Sequence, residues 1–138
     1  MDRRLARQEA FNLLFDYTFN AEKTAEGLFE SAFDARDFEP DDYIRTLVVG
    51  VVEKMDTLDA TIEENLKGWK KNRLSRVALA ILRLSVFEIL FMDDIPVSVS
   101  INEAVELAKK YADEKDASFI NGLLGSVARA QESKLENH

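Results

Sequence analysis

At 138 residues with a net charge of −8, the chain is long enough to bury one core without disulfide or metal staples. Hydrophobic residues at 46% and charged residues at 32% are the balance of a folded domain and exclude a disordered tail. The lack of cysteine excludes disulfide frameworks, thiolate metal sites and thiol nucleophiles.

Along the chain, Ala6, Ala10, Leu13, Leu14 and Tyr17 repeat at helical spacing and predict a helix over Arg3–Phe19. Thr24 is an N-cap for a short second helix that buries Leu28, Phe29, Ala32 and Phe33. The run Glu39-Pro40-Asp41-Asp42 starts the next helix, since proline suits a first turn and acids suit the positive helix end. From Ile44 to Leu66 the apolar residues keep helical spacing for about seven turns, interrupted by Gly50. Gly50 points to a close helix crossing, because glycine costs about 1 kcal/mol relative to alanine in an exposed helix.

Residues 68–74 read as a connection, followed by Ser75 as N-cap. The helix after it, from Arg76 to about Phe91, is apolar around most of its circumference and is expected at the centre of the fold. Residues 93–99 read as a loop, and Ser100-Ile101-Asn102-Glu103 as a capping box opening the next helix. That helix is expected to bury Ile101, Ala104, Val105, Leu107 and Ala108. A last helix, from near Asp116, is expected to bury Phe119, Ile120, Leu123, Leu124 and Val127. Alternation of period two is confined to residues 97–101. The fold class predicted is all-α, a helical bundle of six or seven helices. Two packed sub-bundles are expected, covering about residues 1–67 and 68–138.

Catalytic chemistry finds little support. The sole histidine, His138, ends the chain, and no phosphate-loop, dinucleotide or nucleophile-elbow motif occurs. The neighbours Asp41/Asp42 and Glu63/Glu64 diverge by about 100° on a helix, which suits solvated surface better than an acid–base dyad. Neither an enzyme, a metal site nor a cofactor is expected. Gly122-Leu123-Leu124-Gly125 has the spacing of the RNA-clamping G-x-x-G loop, but two leucines in its middle favour helix packing. The opening residues lack the apolar run of a secretory signal. Residues 77–82 are stopped by Arg83, far short of the roughly 20 needed to cross a membrane. A cytoplasmic protein without membrane contact is expected.

Charge is unevenly placed. Residues 16–65 hold fourteen acids against four bases, whereas residues 66–92 hold six bases against Glu88 alone. That asymmetry fits a polyanion site on an acidic body, and fits equally a solvated pattern with no partner. Arg3, Arg4 and Arg7 read as a flexible basic arm; Lys67, Lys70, Lys71, Arg73 and Arg76 gather around the middle connection. Lys109, Lys110 and Lys115 flank Tyr111, with Phe119 beyond. Rings beside cations make a platform for unpaired bases. Burial of Phe119 in the core and of Tyr111 at a helix end is the alternative.

Four segments taken together, RR-x-AR at residues 3–7, RLSRV…AILRLSVFEIL, INEAVELAKKYA and ASFINGLLG, resemble the NusB family of transcription antitermination factors. The resemblance covers nearly the whole chain. It implies a domain of two helical sub-bundles that pairs with NusE, a small-subunit ribosomal protein. The pair would bind single-stranded boxA RNA in nascent ribosomal transcripts and join the RNA polymerase elongation complex with other Nus factors. Carried over by position, it implies RNA contact by Arg3, Arg4, Arg7, Arg83, Tyr111, Lys115 and Phe119. It also implies contact by Phe15, which stands where many members have tyrosine. The chain departs from the pattern in its short arm, with Asp2 beside the arginines, and in Lys115-Asp116-Ala117-Ser118 at the last joint. The resemblance leaves monomer and homodimer open and does not place the NusE face. A protein-interaction module of this fold without RNA binding is the alternative reading. An RNA methyltransferase, whose front domain can look NusB-like, is set aside for want of catalytic cysteines and of room for a cofactor domain.

Overall fold

Local capping sets where most of the helices begin. Asp2 accepts the Leu5 amide at 2.8 Å, Thr24 the Gly27 amide at 3.0 Å and Asp41 the Ile44 amide at 2.9 Å. Ser75 takes the Ala78 amide at 3.0 Å and Asp113 the Asp116 amide at 2.8 Å. Each bond satisfies one of the amides that a helix start leaves without a partner. The computed structural model describes residues 2–36, 41–66 and 74–136, with the side chains of 33–36 and 135–136 left aside. Its helices are α1 (Arg3–Phe19), α2 (Ala25–Arg36), α3 (Asp42–Glu53), α4 (Met55–Glu64), α5 (Arg76–Phe91), α6 (Val97–Tyr111) and α7 (Glu114–Glu136). Among the described residues there is no strand, and no helix is long and apolar enough to cross a membrane. The fold is all-α, as the spacing predicted.

Helix α5 occupies the centre. It packs on α1, α3, α4, α6 and α7, and ten of its residues, from Ala78 to Ile89, are buried. Its near-complete apolar circumference requires cover on several sides. The close crossing expected at Gly50 is present: a Cβ there would lie 2.2 Å from Cζ of Phe87 on α5. Gly122 and Gly125 lie inside α7, where Leu123 and Leu124 face the core.

Several expectations need correction. The long helix predicted over residues 44–66 is broken at Lys54, which sits at φ −101°, ψ 15° between α3 and α4. Its amide still reaches the Gly50 carbonyl at 2.9 Å, and its carbonyl still accepts from Leu58 at 2.9 Å. The first bond closes α3 and the second opens α4, so the apolar spacing runs on while the helix itself bends at one residue. Beyond Lys54, α4 leans on α5 and α7. The loop predicted over 93–99 is shorter, because α6 begins at Val97 directly after Pro96. Proline presets the backbone angle and needs no amide partner there.

The capping box at Ser100 does not form. Ser100 is within α6 and donates to Glu88, while Glu103 binds Arg4; tertiary partners take both side chains. The last helix starts two residues before the predicted Asp116, at Glu114 behind its Asp113 cap. Ile101, Val105 and Phe119 are half-buried where full burial was expected. The sub-bundle division near 67/68 and the expected place of Phe33 lie outside the described residues and side chains, respectively.

Candidate nucleic-acid interface

The site begins with arithmetic on α1. Phe11, Phe15 and Phe19 are spaced by four residues, while a helix turns once every 3.6, so each ring is rotated about 40° past the one before. The row therefore climbs out of the core. Phe11 is 2% exposed, Phe15 is half-buried and Phe19 is 56% exposed. Phe11 and Phe15 stack at 6.0 Å, and Phe15 meets Phe19 edge-on at 5.2 Å. At the other end Tyr111, the last residue of α6, stacks on Phe11 at 4.8 Å. Four rings from two helices thus form one ladder.

Cations stand at both ends of it. Lys110 holds its Nζ 5.4 Å from the Tyr111 ring and donates to Gln8 at 2.8 Å. Arg76, in the first turn of α5, lies 4.3 Å over the Phe19 ring and donates to the Thr18 carbonyl. Beside Lys110, a groove of about 200 Å³ runs between α1 and α6, lined among others by Arg4, Gln8, Glu103 and Glu106. Arginine and lysine over ring faces are favourable cation–π pairs that leave other donors for phosphate.

The opening arginines are not a flexible arm. They form the first turns of α1 behind the Asp2 cap, and their fates diverge. Arg3 is exposed, 4.3 Å over the Tyr43 ring and 3.9 Å from Asp94. Arg4 is exposed and forks onto Glu103 at 3.1 Å. That hydrogen bond, and next the charge of Glu103, raise its pKa above the ordinary arginine value. Arg7 is 5% exposed, and its Nε donates to Glu88 at 2.7 Å. Burial alone would lower its pKa, but the bond to Glu88 and that residue's charge outweigh this and leave it raised. Burial removes Arg7 from the surface on which RNA contact was expected.

Arg83 is also committed inside the protein. Its Nε and Nη2 reach both carboxylate oxygens of Asp59 at 3.0 Å each, tying α5 to α4 with only 11% of its side chain exposed. Lys115 is exposed in the first turn of α7. Phe119 does not join the ladder. It lines a separate cleft of about 350 Å³ with Asn65, Leu66, Ser118, Gly122, Leu123 and Arg129, between the end of α4 and α7. Lys67, Lys70, Lys71, Arg73 and His138 lie outside the described residues.

Sequence reasoning missed two features. One is the outer end of the ladder, Phe19 with Arg76, although the F-x-x-x-F-x-x-x-F spacing of α1 was there to be counted. The other is a buried polar node at Glu88, which is 1% exposed. It accepts from Arg7 of α1, from the Tyr43 hydroxyl of α3 at 2.8 Å and from Ser100 of α6 at 2.8 Å. A lone acid in an apolar helix was the only signal for it.

The NusB family model matches residues 4–129. A transcription antitermination protein NusB of Clostridium novyi is 44% identical over 133 residues, covering 94% of this chain and 100% of that protein. The protein of the same name from Listeria monocytogenes is 44% identical over 128 residues, with 93% and 97% covered. Among solved structures, T. maritima NusB superposes with a TM-score of 0.82 at 34% identity, covering 94% of this chain and 92% of that one. A chain from the crystal structure of antitermination factors NusB and NusE in complex with double-stranded RNA gives 0.81 at 30% identity, covering 93% and 96%.

Proposed function

The chain belongs to the NusB family, and on that premise we propose that it binds single-stranded boxA RNA together with NusE and helps RNA polymerase resist termination. It is a transcription antitermination factor of a non-enzymatic family. A relative of this fold crystallised with NusE and double-stranded RNA, which supports both partners as classes. The elongation complex with other Nus factors, and the cytoplasm as its setting, belong to the same proposal.

The observation that carries the reading is the ring ladder Tyr111–Phe11–Phe15–Phe19 with Lys110 and Arg76 at its ends. Unpaired bases stack on such rings, and neighbouring cations take the phosphates. Phe15 and Tyr111 are the base contacts in this proposal, with Arg3, Arg4, Lys110 and Lys115 contacting the backbone. Phe119 supplies a second stacking position on α7. Arg7 and Arg83 hold helices in place instead of touching RNA.

Titration of labelled boxA RNA, with and without NusE, against scrambled and duplex competitors tests this. Neutralising three to five phosphates gives a slope of log affinity on log salt of roughly −2 to −3.5 for a single strand. Tighter binding to boxA than to scrambled RNA is expected, strengthened by NusE. A second reading follows from Arg4 and Arg7 being paired within the chain, which leaves fewer free cations. On that reading the protein binds NusE and no RNA. Tight NusE binding beside no boxA affinity above that for scrambled RNA would establish it.

A further inference from the structure

Phe19 is the most exposed large apolar residue described, and a single exposed ring calls for no explanation by itself. This ring, however, is held on two sides. Phe15 and Phe19 meet at right angles, edge to face, with centroids 5.2 Å apart and an interplanar angle of 87°, and the Arg76 guanidinium lies 4.3 Å from the Phe19 centroid. Arg76 is fixed in turn by its bond to the Thr18 carbonyl at the end of α1. A cation suits that negative helix end, which accounts for Arg76. It does not account for an aromatic ring left half outside. The acid on the same turn, Asp16, is occupied by Asn20 at 2.8 Å and Lys23 at 3.5 Å. Among the described residues Asp16 is therefore not the counter-charge of Arg76.

We propose that Phe19 and Arg76 form a further nucleotide site, where a base of bound single-stranded RNA stacks on the Phe19 ring and Arg76 takes the adjoining phosphate. This rests on the RNA reading above and lengthens its footprint along α1. From Arg4 to Phe19 the helix rises about 22 Å, so one strand following the ladder reaches its outer end. The ring is already positioned by Phe15 and Arg76, so little side-chain freedom is lost when a base arrives. One of five guanidinium donors is used at Thr18, which leaves a fork for phosphate.

The test uses the full chain with NusE and boxA RNAs of graded length at either end. Phe19→Ala and Phe19→Leu should each weaken the longest RNA by about 5- to 30-fold, the lower part of the range for loss of one stacked base. Both should leave the shortest RNA unaffected. Phe19→Trp should retain affinity, and Arg76→Lys should lose part of it while thermal melting is preserved. Phe15→Ala serves as the control on the underlying reading. Loss with Phe15→Ala but none with either Phe19 variant would remove this site and leave the ladder. No specific RNA binding by the parent protein would overturn both. Loss with Phe19→Ala but not Phe19→Leu would mark mere apolar packing and would also refute the site.

Discussion

Replacing Glu88 by alanine should remove a large part of the protein's stability. Its carboxylate is 1% exposed and accepts from Arg7, Tyr43 and Ser100 at 2.7, 2.8 and 2.8 Å. Alanine at this position leaves the Arg7 guanidinium, itself 5% exposed, as an uncompensated buried charge. Breaking a buried pair from one side costs about 3–5 kcal/mol, out of a total stability of about 5–15 kcal/mol. With a urea slope near 2 kcal/mol/M, the midpoint should fall by about 1.5–2.5 M. Arg7→Met with Glu88→Leu should fall by less: both proteins leave the Tyr43 and Ser100 hydroxyls without their acceptor, at about 1–3 kcal/mol each, but only Glu88→Ala also strands a buried charge. Urea unfolding followed by far-UV circular dichroism measures all three proteins. A double variant no more stable than Glu88→Ala, or a Glu88→Ala loss under about 1 kcal/mol, would show that the node is not what binds α1, α3, α5 and α6 together.

Further predictions concern the other contacts of the frame. Gly50→Ala should destabilise by about 1–3 kcal/mol through overpacking, because its Cβ would meet the Phe87 ring at 2.2 Å. That exceeds the gain of about 1 kcal/mol in helix propensity, and adding Phe87→Leu should recover part of the loss in a thermal melt. Burial, then the charge of Glu88 and the bond donated to it, raise the Tyr43 hydroxyl above the ordinary phenol value of 10.0. A raised folded value means stability is intact below the unfolded pKa and is lost as pH climbs toward the folded one. The parent should therefore lose stability relative to Tyr43→Phe above about pH 10, and equal slopes in urea melts across that range would refute this. Arg83→Met should cost about 1.5–3 kcal/mol by opening the fork on Asp59, while the folded protein keeps its RNA affinity. Lost affinity at unchanged stability would instead make Arg83 a contact residue.

The helices were legible because apolar spacing and caps are local. Ser75, Thr24 and Asp41 each announce a helix start within four residues of themselves, and the central place of α5 follows from its nearly unbroken apolar surface. The break at Lys54 was not legible, since the apolar spacing continues across it from α3 into α4. The false capping box shows the opposite failure. Ser100 and Glu103 fit a local pattern, but Glu88 and Arg4 arrive from other helices and claim both side chains.

The candidate site divides along the same line. Sequence alone determined that basic and aromatic residues are present, at which helix positions, and in which family's order. Only the tertiary structure decided which of them face outward. Arg3, Arg4 and Arg7 are chemically alike and fall within two turns, yet α3 and α5 draw Arg7 onto a buried carboxylate and leave the others in solvent. Phe119 and Tyr111, neighbours in the chain, part company because one packs near α4 and the other on α1. Residue type sets what a side chain can bind, but exposure and pairing depend on helices distant in sequence, and those are known only once the core has closed.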